Sequence, residues 1–427
     1  MAIKNSRILA VNSLRKDALK IAEAGLLAID TKKVMKKNAH LNGDILFIKN
    51  KEINLKNINR IFVAGIGKCS AEAAASLENI LGDKLDSGIV IDTHKIKLKK
   101  IKVFAGSHPL PSEKNIDATA KLIEFISGKK ENDLIIFIVS GGGSALLCQP
   151  KNLTCQDEKI IFNCLTRAGV DIKRLNIVRK HTSLARGGNL AKYAYPAQVV
   201  SLIFSDVLGD DLAIISSGPT VLDFSTIEDA KRILDEFGVE KRCGNISKGL
   251  IETPKDKKYF KKVDNILLVS NKVALDAMRE AAKGLGLTVC ILDTMISGEA
   301  SETGRKIAAD LHQVGSKNVL LYGGETTVIV EGKGKGGRNM ELALSALRFL
   351  KDDELVLTLA SDGRDNSDFA GAICDEETKK KAGKLKLDPG KFLKNNSSYE
   401  FFKKIKDSVI TGDTGSNVSD LIIAIKK

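Results

Sequence analysis

Tryptophan is absent from the 427 residues, and aromatic side chains make up only 5%. Proteins that bind nucleic acid use aromatic platforms for bases and arginine forks for base edges and phosphates. Here only 14 of the 67 basic residues are arginine. The net charge of +14 is carried by lysines in short runs, at 95–102, 254–262 and 379–386. Such runs read as solvated faces whose field draws in a small anion, so no nucleic-acid partner is expected, and a basic RNA-binding protein stands only as the non-enzyme alternative. Long apolar runs are also missing. Leu134–Val139 is among the longest, at six residues, where a membrane helix needs about 20. The first residues carry no apolar core of a secretory signal, so no membrane association is expected and the location expected is cytoplasmic. The seven cysteines (69, 148, 155, 164, 243, 290 and 374) include no CxxC pair, and none of the five histidines is spaced with them as a zinc ligand. They read as free thiols of a reducing cytosol.

What is present is a long chain of ordinary globular composition, 43% hydrophobic and 28% charged. One core rarely grows past about 250–300 residues, so two domains are expected. Residues 7–26 have a helical apolar period behind Ser6 as N-cap. Short apolar strands then alternate with amphipathic helices: strands at 61–64, 88–91, 101–105, 134–139 and 199–204, helices at 70–80, 113–126, 156–167 and 227–237. The pattern fails at Glu252–Lys262, which reads as a linker. It restarts with strands at 266–269, 288–292, 319–322, 326–330 and 355–359 and helices at 272–283, 299–314 and 338–349. Uninterrupted apolar strands between helices argue for parallel sheets covered on both faces. The fold expected is α/β, with two Rossmann-like three-layer domains at 1–253 and 254–427.

The glycines gather just after the strands, where open α/β sheets bind ligands. Ile61–Ser70, IFVAGIGKCS, puts Gly65 and Gly67 in a turn followed by Lys68 and a helix start, so Lys68 is a point charge for a phosphate or carboxylate. Leu134–Leu147, LIIFIVSGGGSALL, places Gly141, Gly142 and Gly143 between Ser140 and Ser144, an anion cradle behind a buried strand. Leu175–Lys192 concentrates Arg179, Lys180, His181 and Arg186 as a cationic face for phosphates. Asp206 ends a strand in SDVLGDDL, and Asp362 follows another in SDGRDNSD. A carboxylate so placed can hold Mg²⁺, which needs only one or two protein ligands. The densest motif is Tyr322–Leu344. Its GGETT brings Glu325 and Thr326 after a strand, and its GGRN aims Arg338 and Asn339 from a helix N-terminus at an anion. Thr411–Asp420, TGDTGSNVSD, forms a polar turn near the C-terminus. Neither a Walker A loop nor a GxSxG elbow occurs, and Gly65-x-Gly67 is not completed to GxGxxG.

The ordered set AGIGK, HPLP, SGGGSALL, VRKHTSLARGGNLA, SDVLGDDL with SGPT, GGETTV with GKGGRNMELAL, SDGRDNSDFAGA and TGDTGSNVSDL resembles the glycerate 2-kinases with a C-terminal MOFRL domain, from about residue 60 to residue 423. The resemblance implies transfer of a phosphoryl group from ATP to D-glycerate, giving 2-phosphoglycerate and ADP. It implies an active-site cleft between the two domains, a monomer or homodimer, and a catalytic lysine and arginine at Lys68 and Arg338. Phosphoryl transfer asks besides for a proton acceptor and a metal ligand, and Asp206 and Asp362 each suit either role, with Asp206 counted among the catalytic residues. Gly65, Gly67, Ser140 to Ser144, Arg179, Lys180, Glu325, Thr326 and Asn339 would bind phosphates and substrate. Ser112, Asn366 and Asp413 depart from the usual pattern at turn positions, which bears on substrate fit. The enzyme alternative is an NAD(P)-dependent hydroxypyruvate reductase, because some members carry that label.

Overall fold

The structure is a computed structural model, and it describes residues 2–244 and 246–427, the side chain of Cys243 excepted. The chain forms two compact units. One comprises Val34–Leu268; the other joins Met1–Lys33 to Val269–Lys427. A single cut at 253/254 therefore does not separate them. The reason lies in tertiary pairing. Arg15, on the helix Ser13–Ala28, is fully buried and donates to Asp375 and Asp407 at 2.6–3.0 Å, and to Thr378 at 2.8 Å. A buried guanidinium needs such partners, and these lie some 360 residues away in sequence. The expected linker is likewise packed. Thr253 is buried and donates to Asp223, and Lys255 donates to the backbone oxygen of Asp223.

The unit Val34–Leu268 opens with a small antiparallel sheet of β1 (Ala39–Asn42), β2 (Ile45–Ile48) and β3 (Lys51–Asn54). Its main sheet holds β4 (Arg60–Ile66), β5 (Leu85–Asp92), β6 (Ile101–Ala105), β7 (Asp133–Ser140), β8 (Gln198–Phe204) and β9 (Val263–Val269). The strand order is β6-β5-β4-β7-β8-β9, and β6 through β8 run parallel. Every residue of β7 is buried, which explains why LIIFIV has no polar alternation. The order reverses between β4 and β7, because β5 and β6 lie on one side of β4 and β7 on the other. The carboxyl ends of β4 and β7 therefore form the topological switch point of this sheet. Helices Cys155–Arg167, Ile172–His181, Ile227–Glu236 and Val239–Cys243 make a second, smaller apolar cluster within the unit.

The other unit has a six-stranded sheet of β10 (Thr288–Ile296), β11 (Asn318–Gly324), β12 (Glu354–Ala360), β13 (Gly371–Cys374), β14 (Ser408–Val409) and β15 (Asp420–Lys426), in the order β10-β11-β15-β12-β13-β14. Among the described residues β10 and β11 pair in parallel, while the neighbours of β15 and β13 run antiparallel to them. The all-parallel expectation fails here because the C-terminal strand inserts between β11 and β12. The strand expected at 326–330 does not form. Thr327 makes one bridge to Glu299, and Ile329 and Val330 are exposed. Their β-branched side chains favour a strand, but no sheet edge is there to receive them. The helix expected at 7–26 is broken. Ser6–Leu9 is a single turn, and the main helix starts at Ser13 with Asn12 as its cap, accepting from the Arg15 N–H at 2.8 Å. Among the cysteines, 69, 148, 155, 290 and 374 are free as expected. Cys164 is disulfide-bonded, against the expectation of free thiols throughout, and the side chain of Cys243 lies outside the described residues. Among the described residues no helix is long and apolar enough to cross a membrane.

Candidate active site

At the switch point the turns after β4 and β7 are stitched together. The Lys68 N–H donates to the Gly141 oxygen at 3.0 Å, and Ser140 Oγ links the Ile66 oxygen to the Cys69 N–H at 3.3 Å each. The Ser140 hydroxyl thus builds the turn and is not left over for a ligand. Gly65 lies within β4, where a β-carbon would collide with Val90, so its role is packing. Gly142 has φ +81°, and a β-carbon on it would lie 3.0 Å from His108 Cδ2 and 3.2 Å from Lys68 Cε. Glycine is required there for two reasons: the left-handed backbone, and the approach of two side chains over it. Lys68 itself is exposed. Asp206, just past β8, presses its carboxylate on Gly141, where a β-carbon would lie 2.1 Å from Oδ2. Burial raises the Asp206 carboxyl above its ordinary value, while the Lys68 charge works the other way. Gly143 closes against Ser216, whose Oγ donates to the Ser140 oxygen at 2.8 Å. Ser144 Oγ meets Ser217 Oγ at 2.9 Å, and Ser217 donates to Asn176 at 2.7 Å.

The cationic segment after the cradle divides into structural and unpaired charges. Lys180 is buried and bonded to Asp223 at 3.2 Å, with His181 at 3.6 Å from the same carboxylate. Arg186 is buried on Glu158 at 2.7 Å. These charges are satisfied inside the fold, so Lys180 does not face a phosphate. Arg179 differs. Its guanidinium stacks over Phe162 at 4.8 Å, and among the described residues no carboxylate lies within ion-pair distance of it.

The helix after β4 (Ser70–Leu81) was expected to receive an anion at its N-terminus. Asp92 already occupies that position. It is buried at the end of β5, and its carboxylate accepts from the Ala71 N–H at 2.9 Å and from Ser70 Oγ at 3.4 Å. The same correction applies in the other unit. Asp365 is buried against the N-terminus of the helix Arg338–Leu347, accepting from Asn339 N at 3.0 Å and Met340 N at 2.8 Å. Asn339 is itself buried, so it does not project to an incoming anion. Arg338 forms a fork on Asp420, through Nε at 2.6 Å and Nη2 at 2.9 Å, and its Nη1 lies 2.9 Å from Glu325. Burial works against the Arg338 charge, but these carboxylates hold it firmly protonated. Burial pushes Asp365 up to about 7, with the neighbouring Asp420 adding to the rise. Thr326 is buried. Asp362 is partly exposed, and one carboxylate oxygen accepts from the Arg364 N–H at 3.0 Å. Neither His108 nor Asp420 is among the site residues expected from the sequence. Both stood at motif ends, in HPLP and in TGDTGSNVSD.

The geometry defines a class: an α/β protein in which lysine, imidazole and carboxylate converge on a glycine turn between strand ends. Comparison with known proteins narrows it. Residues 17–250 match the domain of unknown function DUF4147, and residues 318–420 match the MOFRL family. A glycerate 2-kinase of Pyrococcus horikoshii is 35% identical over 96% of this chain and 97% of its own length. A putative hydroxypyruvate reductase of Agrobacterium vitis is 37% identical over 85% of this chain and 86% of its own. The crystal structure of a glycerate kinase from Thermotoga maritima superposes with a TM-score of 0.87 at 33% identity, covering 97% of this chain and 100% of that one. The chain belongs to the MOFRL family of glycerate 2-kinases.

Proposed function

We propose that the chain transfers the γ-phosphoryl group of ATP to the 2-hydroxyl of D-glycerate. A bond forms between that hydroxyl oxygen and the γ-phosphorus, the bond to the β,γ-bridging oxygen breaks, and ADP leaves. The hydroxyl proton passes to Asp206 or, where that carboxylate holds a cation, to water. Phosphoryl transfer asks the protein mainly for positioning and for charge on the transferring group. The observation that carries the reading is the convergence of the Lys68 stem and the Asp206 carboxylate on the Gly141–Gly142 turn at the switch point. Lys68 meets the transferring phosphoryl oxygens there. In the other unit the Arg338 fork is engaged by Asp420 and Glu325.

The donor set at Asp206 fits Mg²⁺: one carboxylate, disfavoured in its charged form by burial and so receptive to a cation, beside a turn able to receive phosphates. Mg²⁺ is held in large part by phosphates and water, so Asp206 would be enough protein ligand. When bound, the ion neutralises charge on the phosphates. Dependence on ATP is the reason to assign the enzyme to the cytoplasm.

The reductase alternative is disfavoured by Asp92. A dinucleotide rests its pyrophosphate on the helix N-terminus that follows the first glycine turn. The buried Asp92 carboxylate already fills that position with negative charge. The test is ADP release on adding D-glycerate and ATP, with phosphorus NMR of the product to identify the phosphorylated carbon. Activity is expected to vanish in excess chelator and return with Mg²⁺. Oxidation of NADH or NADPH by hydroxypyruvate, without glycerate-dependent ADP release, overturns the reading.

A further inference from the structure

Three observations converge beside the cradle. First, Arg179 sits one helical turn after Asn176 on the helix Ile172–His181, so the two share a face. Asn176 is tied through Ser217 to Ser144 of the cradle at 2.7 and 2.9 Å. Second, stacking on Phe162 pins the Arg179 guanidinium, and the nearby cations Lys180 and Arg186 are each consumed by a buried carboxylate. Third, the His108 ring and the Lys68 stem lie together over Gly142.

Resting on the kinase reading, we infer that Arg179 and His108 form the acceptor subsite: the Arg179 fork grips the carboxylate of D-glycerate, and His108 hydrogen-bonds a glycerate hydroxyl. The geometry makes Arg179 the residue that selects a small 2-hydroxy acid over a neutral polyol. A planar fork matches the two oxygens of a carboxylate, whereas Lys68, a point charge, suits a phosphoryl oxygen.

The electrostatics agree. Burial, together with the like charge of Arg186, lowers the Arg179 guanidinium to about 10, and the Glu158 carboxylate offsets this only in part. Partial burial and then the charges of Lys68 and Arg179 lower His108 to about 4, so the imidazole carries no competing charge at neutral pH. All the charged groups acting on His108 are therefore cations, and a bound carboxylate supplies the missing negative charge.

The test uses the full chain. Arg179→Met and Arg179→Lys are compared with the parent for KM of D-glycerate, KM of ATP and thermal midpoint. The expectation is a rise of at least ~10-fold in the glycerate KM for Arg179→Met, with the ATP KM within threefold and a smaller glycerate effect for Arg179→Lys. His108→Gln, which keeps hydrogen-bonding capacity, is expected to raise the glycerate KM less than His108→Ala. A purely structural role would lower the thermal midpoint and move both KM values together, and that result overturns the inference. So does a rise confined to the ATP KM, which would assign Arg179 to the donor. If Arg179→Met does not fold, the KM split in Arg179→Lys decides alone. Absence of glycerate-dependent ADP release in the parent refutes the kinase reading itself; normal glycerate kinetics in Arg179→Met refute only the acceptor subsite.

Discussion

Replacing Lys68 separates catalysis from stability unusually cleanly. The side chain is exposed, and what fixes the turn is its backbone N–H on the Gly141 oxygen, which any residue retains. Truncation therefore removes no buried contact, and the cost in stability is expected to stay within about 0.5 kcal/mol. The chemical cost is different in kind. The stem rises beside Gly142, its Cε 3.2 Å from where a β-carbon on that residue would lie, and this is the geometry that preorganises the charge over the turn. Losing one such preorganised charge at a transition state costs about 2.7–4 kcal/mol, or roughly 10²–10³ in kcat. Solvent exposure argues for the lower end of that range. Lys68→Met keeps most of the stem and should fall as far as Lys68→Ala, because the charge and not the packing is lost. The assay is initial-rate kinetics at saturating ATP and D-glycerate, with thermal unfolding run in parallel. A folded variant within threefold of the parent removes Lys68 from the mechanism. A drop in midpoint matching the drop in rate would mean that the residue is structural, and the reasoning would fail.

Arg15→Met strands Asp375 and Asp407 in the interior; breaking a buried pair in this way costs about 3–5 kcal/mol, and the Lys381 bond to Asp407 favours the lower figure. Urea denaturation followed by circular dichroism checks it, and a loss under 1 kcal/mol would break the argument that this network binds the N-terminal helix to its unit. The same pair sets a pH signature. Burial pushes Asp375 up, but Arg15, helped by Asn12 and the Thr378 N–H, more than offsets it, so the carboxyl sits below its ordinary value of 3.8; the parent loses this stabilisation as pH falls below about 4, whereas Arg15→Met, which keeps only the Asn12 and Thr378 bonds against burial, should lose less over the same range. Arg338→Lys conserves charge but cannot make the two-pronged contact that now engages Asp420, and kcat/KM should drop at least ~10-fold, about 1.4 kcal/mol; parent-like kinetics would take the fork out of the reaction.

Strands and helices that bury a continuous apolar face were legible in the sequence. The strand at 101–105 and the helix at 113–126 have the bounds expected, because local period and burial agree there. The glycine turns were legible too, since a run such as SGGGS behind a buried strand has few structural uses. The short stretch at 420–426 was not assigned, although it is a central strand, because its place depends on β11 and β12 both being present to accept it. The strand expected at 326–330 failed for the converse reason: propensity without a partner.

The sequence by itself determined which residue types gather at strand ends, and through its ordered motifs the family and its chemistry. Tertiary structure alone decided which of those charges are spent. Lys180 and Arg186 read like Arg179 in a string of letters, yet only contacts with Asp223 and Glu158 reveal that two are neutralised inside the fold. Asp92 and Asp365 likewise close helix N-termini that sequence alone leaves open to an anion. The physical reason is that a charge acts through its nearest neighbours in a low-dielectric interior, and those neighbours are set by the folded chain, often across tens or hundreds of residues.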